Sequence, residues 1–358
     1  MAKYENNDGV GIIPEGTTII KGECYECAFD NYESMMSVII PDSVKEIGGD
    51  AFNGCISLKS VSIPNSVTKI GFSAFSACKS LINIVIPDSV ETIKSGAFYG
   101  CKSLTNLFIP NLVKDLDGAF SKCTGLNKIV VAEGNPVYDS RDNCNAIIKS
   151  RTNELILGCS SSFIPDSVTS IEGSAFCDCA DLTDIVIPDS VTGIGDHAFG
   201  NCVGLTNIII PDSVASVGWG IFSGCRELTK ITVSTGNKTF DSRNNCNAII
   251  ESETNTLIQG CANTVIPDSV TKIGAFAFEF CVGLSSIIIP NSVTEIGWYA
   301  FKDSGLTSIS IPKSVTKIDS ECFSGCSSLK TIYVPTGRAD YYKECLPEKL
   351  HSLVVEQP

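Results

Sequence analysis

The sequence predicts a solenoid of stacked coils, with a parallel β-sheet along one face and short 3₁₀ or helical turns along the other. Two observations lead to this prediction. Proline recurs at a step of 23 residues over much of the chain, for example at 41, 64, 87 and 110. Each proline follows an alternating, β-branched run that is too short to be stable alone. Such a run must pair with the same run of the neighbouring coils.

Each coil has the form C-x-x-L-x-x-I-x-I-P-x-S-V-x-x-I-x-x-x-A-F, as between Cys202 and Phe222. Its LTNIII segment predicts a strand. Pro211 ends that strand, because proline cannot donate to a β-ladder. The Ala-Phe segment is long enough for about one helical or 3₁₀ turn.

One slot of the coil, four residues before the phenylalanine of the Ala-Phe pair, is often glycine. This predicts a turn with a left-handed backbone, although Lys94 and Glu172 fill the same slot, so the demand is not strict. The glycines concerned are at 48, 71, 195, 218, 274 and 297.

The proline spacing also predicts the domain organisation. Two longer gaps each hold one ordinary coil and an insert, which gives about 13 coils in all. We predict a degenerate N-terminal coil or cap over residues 1–40 and a solenoid over 41–335. The solenoid carries β-hairpin inserts near 135–163 and 237–265, and a C-terminal cap covers 336–358.

The repeated motif resembles the BspA-like leucine-rich repeats, also called the Treponema-type repeat class, from about residue 12 to 335. The inserts YDSRDNCNAIIKSRTNELILGC and FDSRNNCNAIIESETNTLIQGC are similar to an element that recurs in such proteins. The resemblance implies a bacterial cell-surface or secreted protein. It further implies adhesion to host matrix proteins or to other cells.

Charge and hydropathy restrict the partners. A net charge of −14 argues against binding nucleic acid or an anionic membrane, since both attract lysine and arginine. No apolar run is long enough for a membrane-spanning helix. The start MAKYENNDGV lacks the pattern of a signal peptide. Two localisations therefore stay open: cytoplasmic, or extracellular and cell-surface if a leader was trimmed.

Nine of the 18 cysteines occupy one slot of the coil and should form a column of buried thiols in the core. They are residues 55, 78, 101, 123, 179, 202, 225, 281 and 326. The close pairs in CYEC (24–27), CDC and CFSGC are attributed to the repeat rather than to zinc, and we predict no metal and no cofactor.

The inserts contain a second class of cysteine. Pairing Ile148 with Leu155 across the hairpin would place Cys144 opposite Cys159, and the same register would place Cys246 opposite Cys261. Two interpretations stay open for each pair: a disulfide, or two packed thiols.

No catalytic constellation is predicted, because nucleophilic catalysis needs a base beside a serine or cysteine. His197 falls in a variable slot and is interpreted as a surface residue, and His351 as part of the C-terminal segment. Asp139-Arg141 and Asp241-Arg243 recur in the inserts. They are interpreted as a salt-bridged turn or, alternatively, as a contact site for a ligand.

Strand alternation predicts two rows of outward residues along the sheet. The outer polar row is the first outward position of each strand, and it includes Lys128, Asp184 and Lys230. The outer apolar row is the second outward position, and it predicts a protein-binding surface. The candidate binding residues are Val85, Phe108, Val130, Val186, Ile209, Ile288 and Tyr333 of this row, together with Lys128, Asp184 and Lys230 of the polar row.

Three alternatives to this binding surface stay open. The apolar row could express β-propensity alone, or the inserts could cover it. The protein could also be a structural spacer without a dedicated ligand. A glycan-binding surface is ranked last, because it would need clustered exposed aromatic residues, and the only two tryptophans, Trp219 and Trp298, fall outside the strands.

Overall fold

The computed structural model describes residues 4–22, 27–29, 32–116 and 118–357. The chain divides into two units, residues 1–165 and 166–358. The predicted fold class is confirmed: stacked turns with parallel sheets make up the described chain, about 15 of them where the sequence predicted about 13 coils. Cys24, which belongs to one of the close cysteine pairs, lies outside the described residues.

In the first unit, strands of the predicted type pair in parallel from coil to coil. Ser62 pairs with Val85 and Phe108 with Val130. The N-terminal segment is an antiparallel hairpin whose second strand pairs in parallel with the first regular coil. The strands are Asn6–Asn7, Val10–Ile12, Ser37–Ile39, Ser60–Ser62, Asn83–Val85, Asn106–Ile109 and Lys128–Val131.

A second parallel sheet, which the sequence analysis missed, is formed by two-residue strands at the V-x-x-I part of each coil. Its buried isoleucines pair from coil to coil, as Ile47 does with Ile70. In the first unit its strands are Ile19–Ile20, Glu46–Ile47, Lys69–Ile70 and Thr92–Ile93. In the second unit they are Ser170–Ile171, Gly193–Ile194, Ser216–Val217, Lys272–Ile273, Glu295–Ile296 and Lys317–Ile318.

The second unit repeats the plan. Its longer strands are Asn207–Ile210, Lys230–Val233, Ser308–Ser310, Thr331–Pro335 and Val354–Gln357. The helix Ala339–Cys345 and the 3₁₀ segment Glu348–Leu353 precede the last strand, which pairs in parallel with Thr331–Pro335. The other 3₁₀ segments are Tyr32–Ser34, Arg141–Asn143 and Arg243–Asn245.

The interior is built from columns of identical residues. The rings of Phe52 and Phe75 stack with centroids 4.9 Å apart, and Phe98 continues the stack at 5.2 Å. The cysteine column lies beside it, and the Cys78 thiol donates a hydrogen bond to the Phe52 carbonyl oxygen at 3.2 Å. Cys101 and Phe75 repeat that bond at 3.2 Å. A buried thiol thus has a partner in the preceding coil, which explains why cysteine fills this slot.

The prediction for the recurring glycines is wrong. The glycines at 71 and 218 are absent from the positions with positive φ, which occur two residues later, as at Ser73 with φ of 52°. Glycine is needed instead for close approach of neighbouring coils. A Cβ on Gly71 would lie 2.6 Å from the carbonyl carbon of Gly48. The Ala-Phe segments are consecutive hydrogen-bonded turns, such as Cys55 N to Phe52 O, rather than helices.

The two inserts are three-stranded antiparallel elements. The first consists of Tyr138–Asp139, Ile147–Lys149 and Glu154–Leu157. The second consists of Phe240–Asp241, Ala248–Glu251 and Thr256–Gly260. In the second unit the last insert strand pairs in parallel with Lys272–Ile273, so the insert joins the second sheet.

Candidate functional site

The outer apolar row is created by the alternation of each strand. In the strand Asn83–Val85, Ile84 is buried and Val85 is 73% exposed. Pro87 follows soon after and limits the strand to a few residues. Each coil therefore contributes one outward residue to the row, which is apolar in most coils, and neighbouring members lie about 4.8 Å apart along parallel strands.

The row is exposed along most of its length. Val186 is 75% exposed and Ile288 is 86% exposed, whereas Val130 and Tyr333 are half-buried. The large exposed members in the first unit are Ile12, Ile39, Val85, Phe108 and Phe163. Those in the second unit are Val186, Ile209, Val265, Ile288 and Val355.

Four of these positions were missed by the sequence analysis: Ile12, Phe163, Val265 and Val355. Phe163 and Val265 stand two residues before Pro165 and Pro267, as Val186 stands before Pro188. Their coils lack the leucine that marks the other coils, since the inserts replace that part of the repeat. The spacing to the proline alone would have identified both. Val355 lies beyond the last proline of the repeat, on the final strand, where it pairs with Tyr333.

The inserts do not cover the row among the described residues. Phe163 and Val265 directly follow the inserts and are still 47% and 71% exposed. The backbone N–H of each donates to the insert, Phe163 to Cys144 O and Val265 to Cys246 O. The inserts therefore bond to the backbone of these coils and leave the apolar side chains accessible.

The outer polar row runs beside the apolar one. Lys128, Asp184 and Lys230 are all exposed, as predicted from alternation. Lys128 pairs with Asn106 in the parallel register, and Lys230 pairs with Asn207. The apolar row is thus bordered by side chains that can form hydrogen bonds or carry charge.

The aspartate and arginine of each insert form a closed network. Arg141 donates from Nε and Nη2 to the two oxygens of Asp139, at 2.7 and 2.6 Å, and from Nη1 to Asn153 at 2.8 Å. Burial raises the pKa of the Asp139 carboxyl, but bonds from Arg141 and Ser150 hold that pKa below its usual range. Asp241 and its arginine repeat the arrangement. The guanidinium groups therefore fasten the turn.

The expected cysteine register is wrong in both inserts. Ile148 pairs with Leu155 as predicted, but a β-bulge shifts the next pair to Ile147 and Leu157. Cys144 and Cys159 are therefore not directly opposed. The second insert has the same bulge, so Cys246 and Cys261 are not opposed either. All four are buried thiols, and burial raises the pKa of Cys144 to about 11.

The remaining candidate residues are not assembled into one place. His351 Nε2 lies 2.9 Å from the carbonyl oxygen of Leu346. His197 is half-buried, rather than fully on the surface, because its ring contacts Phe276 edge-on at 6.0 Å. Among the described residues, no group of three or more His, Cys, Asp or Glu side chains could hold a metal ion. In the same part of the chain no helix has the length and apolarity to cross a membrane.

Comparison with known proteins agrees with this architecture. The family model of the BspA type leucine rich repeat region, in six copies, matches residues 22–144, 156–258 and 249–349. A leucine-rich repeat protein from Eubacterium ventriosum has 24% identity and a TM-score of 0.62, over 93% of this chain and 94% of that chain. A leucine-rich repeat protein from Bacteroides ovatus has 26% identity and a TM-score of 0.50, over 98% and 94%. No curated protein sequence matches the chain.

Proposed function

The chain belongs to the BspA-type leucine-rich repeat family, and from this premise we propose that it is a non-catalytic protein-binding module of the bacterial cell surface. It presents the outer apolar row to a partner protein, either an extracellular-matrix protein or a protein on another cell. Repeat proteins of this fold generally act through surfaces of this kind rather than through catalytic groups.

The exposure of the row carries the proposal. Large apolar residues at the same outward position of successive coils form a contiguous patch, and such patches commonly mark interaction sites on soluble proteins. Threonine or serine could satisfy β-propensity at this position, as Thr232 and Ser62 do. The valine, isoleucine and phenylalanine at the other positions are more apolar than β-propensity alone requires. The flanking polar row supplies the hydrogen-bonding rim that protein interfaces use.

The test compares two substitutions on one strand. Ile209→Asp places a charge in the outer apolar row, and Asn207→Asp places the same charge in the outer polar row, two residues earlier. Binding is measured by biolayer interferometry against a panel of immobilised extracellular-matrix proteins and by adhesion to whole cells. We expect Ile209→Asp to weaken binding at least tenfold and Asn207→Asp to change it far less.

Phe108→Asp repeats the test in the first unit, and circular dichroism confirms that each variant is folded. Equal binding by the native chain and both row variants would contradict the proposal and favour a spacer role. Protease treatment of intact producing cells tests the location. Loss of the protein from intact cells supports display at the surface, and full protection contradicts it.

A further inference from the structure

An exposed aromatic cluster lies on the turn side of the second unit, away from the strand rows. Trp219 and Trp298 are 79 positions apart in sequence, yet both contact the ring of Phe276, with centroids 6.0 and 5.1 Å away. Tyr299 lies 5.6 Å from the same ring, and His197 lies 6.0 Å from it. We call these five residues the aromatic corner.

The second insert explains why distant residues meet here. It replaces the turn segment of one coil, so the coil that carries Trp219 lies directly against the coil that carries Phe276. The Ser223 hydroxyl marks this contact by donating to the Glu279 carboxylate at 2.9 Å. The sequence period alone places an intervening coil between them.

The fold does not require aromatic residues at these positions. His197, Phe276 and Tyr299 occupy the left-handed slot, with φ of 51°, 59° and 52°. The same slot in the first unit holds residues that suit this backbone better, such as Asp50 and Gly96. A bulky residue in the left-handed region costs roughly 1–2 kcal/mol. Strain of this kind, at three neighbouring aromatic positions, is typical of a functional surface.

The rings form a corner rather than a flat platform. Trp219 is inclined by 25° to Phe276, whereas Trp298 is inclined by 74° to that same ring, so the two indoles are not coplanar. Trp219 is 57% exposed and Trp298 is 45% exposed, while Phe276 is buried beneath them. Tyr299 stacks on Trp298 with centroids 4.3 Å apart, and Phe276 stacks on Trp219, so the opposite face of each indole is the one left for a ligand.

The charge around the corner favours a cation. Asp196 is exposed beside it, and its Oδ1 accepts a hydrogen bond from the Trp219 backbone N–H at 2.8 Å. The chain already places one of its own ammonium groups against these rings. Lys302 Nζ lies 4.7 Å from the Tyr299 centroid and is neutralised by Glu279 at 2.9 Å. The protein as a whole carries a net charge of −14.

We propose that the aromatic corner binds an organic ammonium group through the faces of Trp219 and Trp298. The negative faces of indole rings attract such cations, and tryptophan is the strongest ring for this interaction. The ammonium group belongs either to a small trimethylammonium compound or to a lysine side chain of a partner. The site is separate from the outer apolar row and does not rest on the function proposed for it.

Intrinsic fluorescence tests this site directly, because the chain has only two tryptophans and both belong to the corner. The full chain is titrated with choline chloride, with a lysine-rich peptide, and with sodium chloride at matched ionic strength. We expect a saturable change in emission with at least one ammonium probe and none with sodium chloride. Trp298→Ala should weaken the apparent affinity roughly tenfold, with Trp219 as the remaining reporter.

Phe72→Ala is the matched control, since Phe72 is 61% exposed and fills the slot of Trp219 in a coil of the first unit. It should leave the titration unchanged. A response to choline but not to the peptide identifies a small headgroup, and the converse identifies a partner protein. Identical responses to choline, peptide and sodium chloride overturn the proposal. A neutral oligosaccharide is titrated as a further arm, and a saturable response to it alone also overturns the proposal, in favour of glycan binding.

Discussion

The inward and outward sides of one strand follow opposite rules. In Asn207–Ile210, Ile208 and Ile210 are buried, whereas Asn207 and Ile209 are exposed. The inward columns repeat the same residue from coil to coil, because a side chain there stacks on its own copies above and below. The outward rows change identity between coils without disturbing the register. The inward columns therefore specify the fold, whereas the outward rows can vary without changing it.

The largest effect should come from breaking an inward column. Phe75 is fully buried and stacks between Phe52 and Phe98. We expect Phe75→Ala to lower the free energy of unfolding by about 3–5 kcal/mol, through lost contacts and the cavity that remains. Thermal and urea denaturation followed by circular dichroism measure the change. Phe72→Ala changes an exposed residue and should lower the free energy of unfolding by less than about 0.5 kcal/mol. Equal losses for Phe75→Ala and Phe72→Ala would contradict the difference between inward and outward positions.

The cysteine column should make stability fall at alkaline pH. Burial raises the pKa of Cys281 to about 12, from 9.0 in an unfolded reference. The neutral thiol is therefore favoured by folding. Its contribution is fully present below pH 9 and is lost as the pH rises from 9 to 12. The slope is at most about 1.4 kcal/mol per pH unit for this thiol.

Denaturation midpoints between pH 7 and pH 11 measure that loss. Cys281→Ala removes the thiol and should give a shallower decline than the native chain. Parallel profiles for the two proteins would show that the ionisation of Cys281 is not linked to folding.

The smallest effect should come from the outer apolar row. Val186 is 75% exposed, and threonine is also β-branched, so Val186→Thr should change stability by less than about 0.5 kcal/mol. Its neighbour Ile187 is buried, and Ile187→Val should cost about 0.5–1.5 kcal/mol. If Val186→Thr proved the more destabilising change, the outward row would have a structural role.

The sequence was sufficient to predict what repeats. The period predicted the coils, the strand and the thiol column, because coils with the same residues at a fixed spacing bury their apolar side chains by stacking on one another. It did not predict the second sheet, whose strands, such as Lys69–Ile70, are too short to show alternation. The bulge between Ile147 and Ile148 likewise leaves no trace in residue type.

The candidate sites were predicted unevenly for the same reason. Val85 and Ile209 follow from strand alternation inside regular coils. Phe163 and Val265 follow an insert that removes the leucine of the motif, so only their spacing to Pro165 and Pro267 marks them in the sequence. Trp219 and Trp298 are close in space because the insert replaces the turn segment of the coil between them. The spacing of the repeats in the sequence does not show which segment is replaced.

The separation of one outward residue per coil has a further consequence for association. Adding or removing a whole coil leaves the contacts that the other coils can make unchanged. It alters only the number of outward residues available to a partner. Affinity for an extended or clustered partner then varies through valency, because each additional contact forms at a high effective concentration once the first has formed. A chain built this way can tune its avidity by duplication, without a new side chain having to arise.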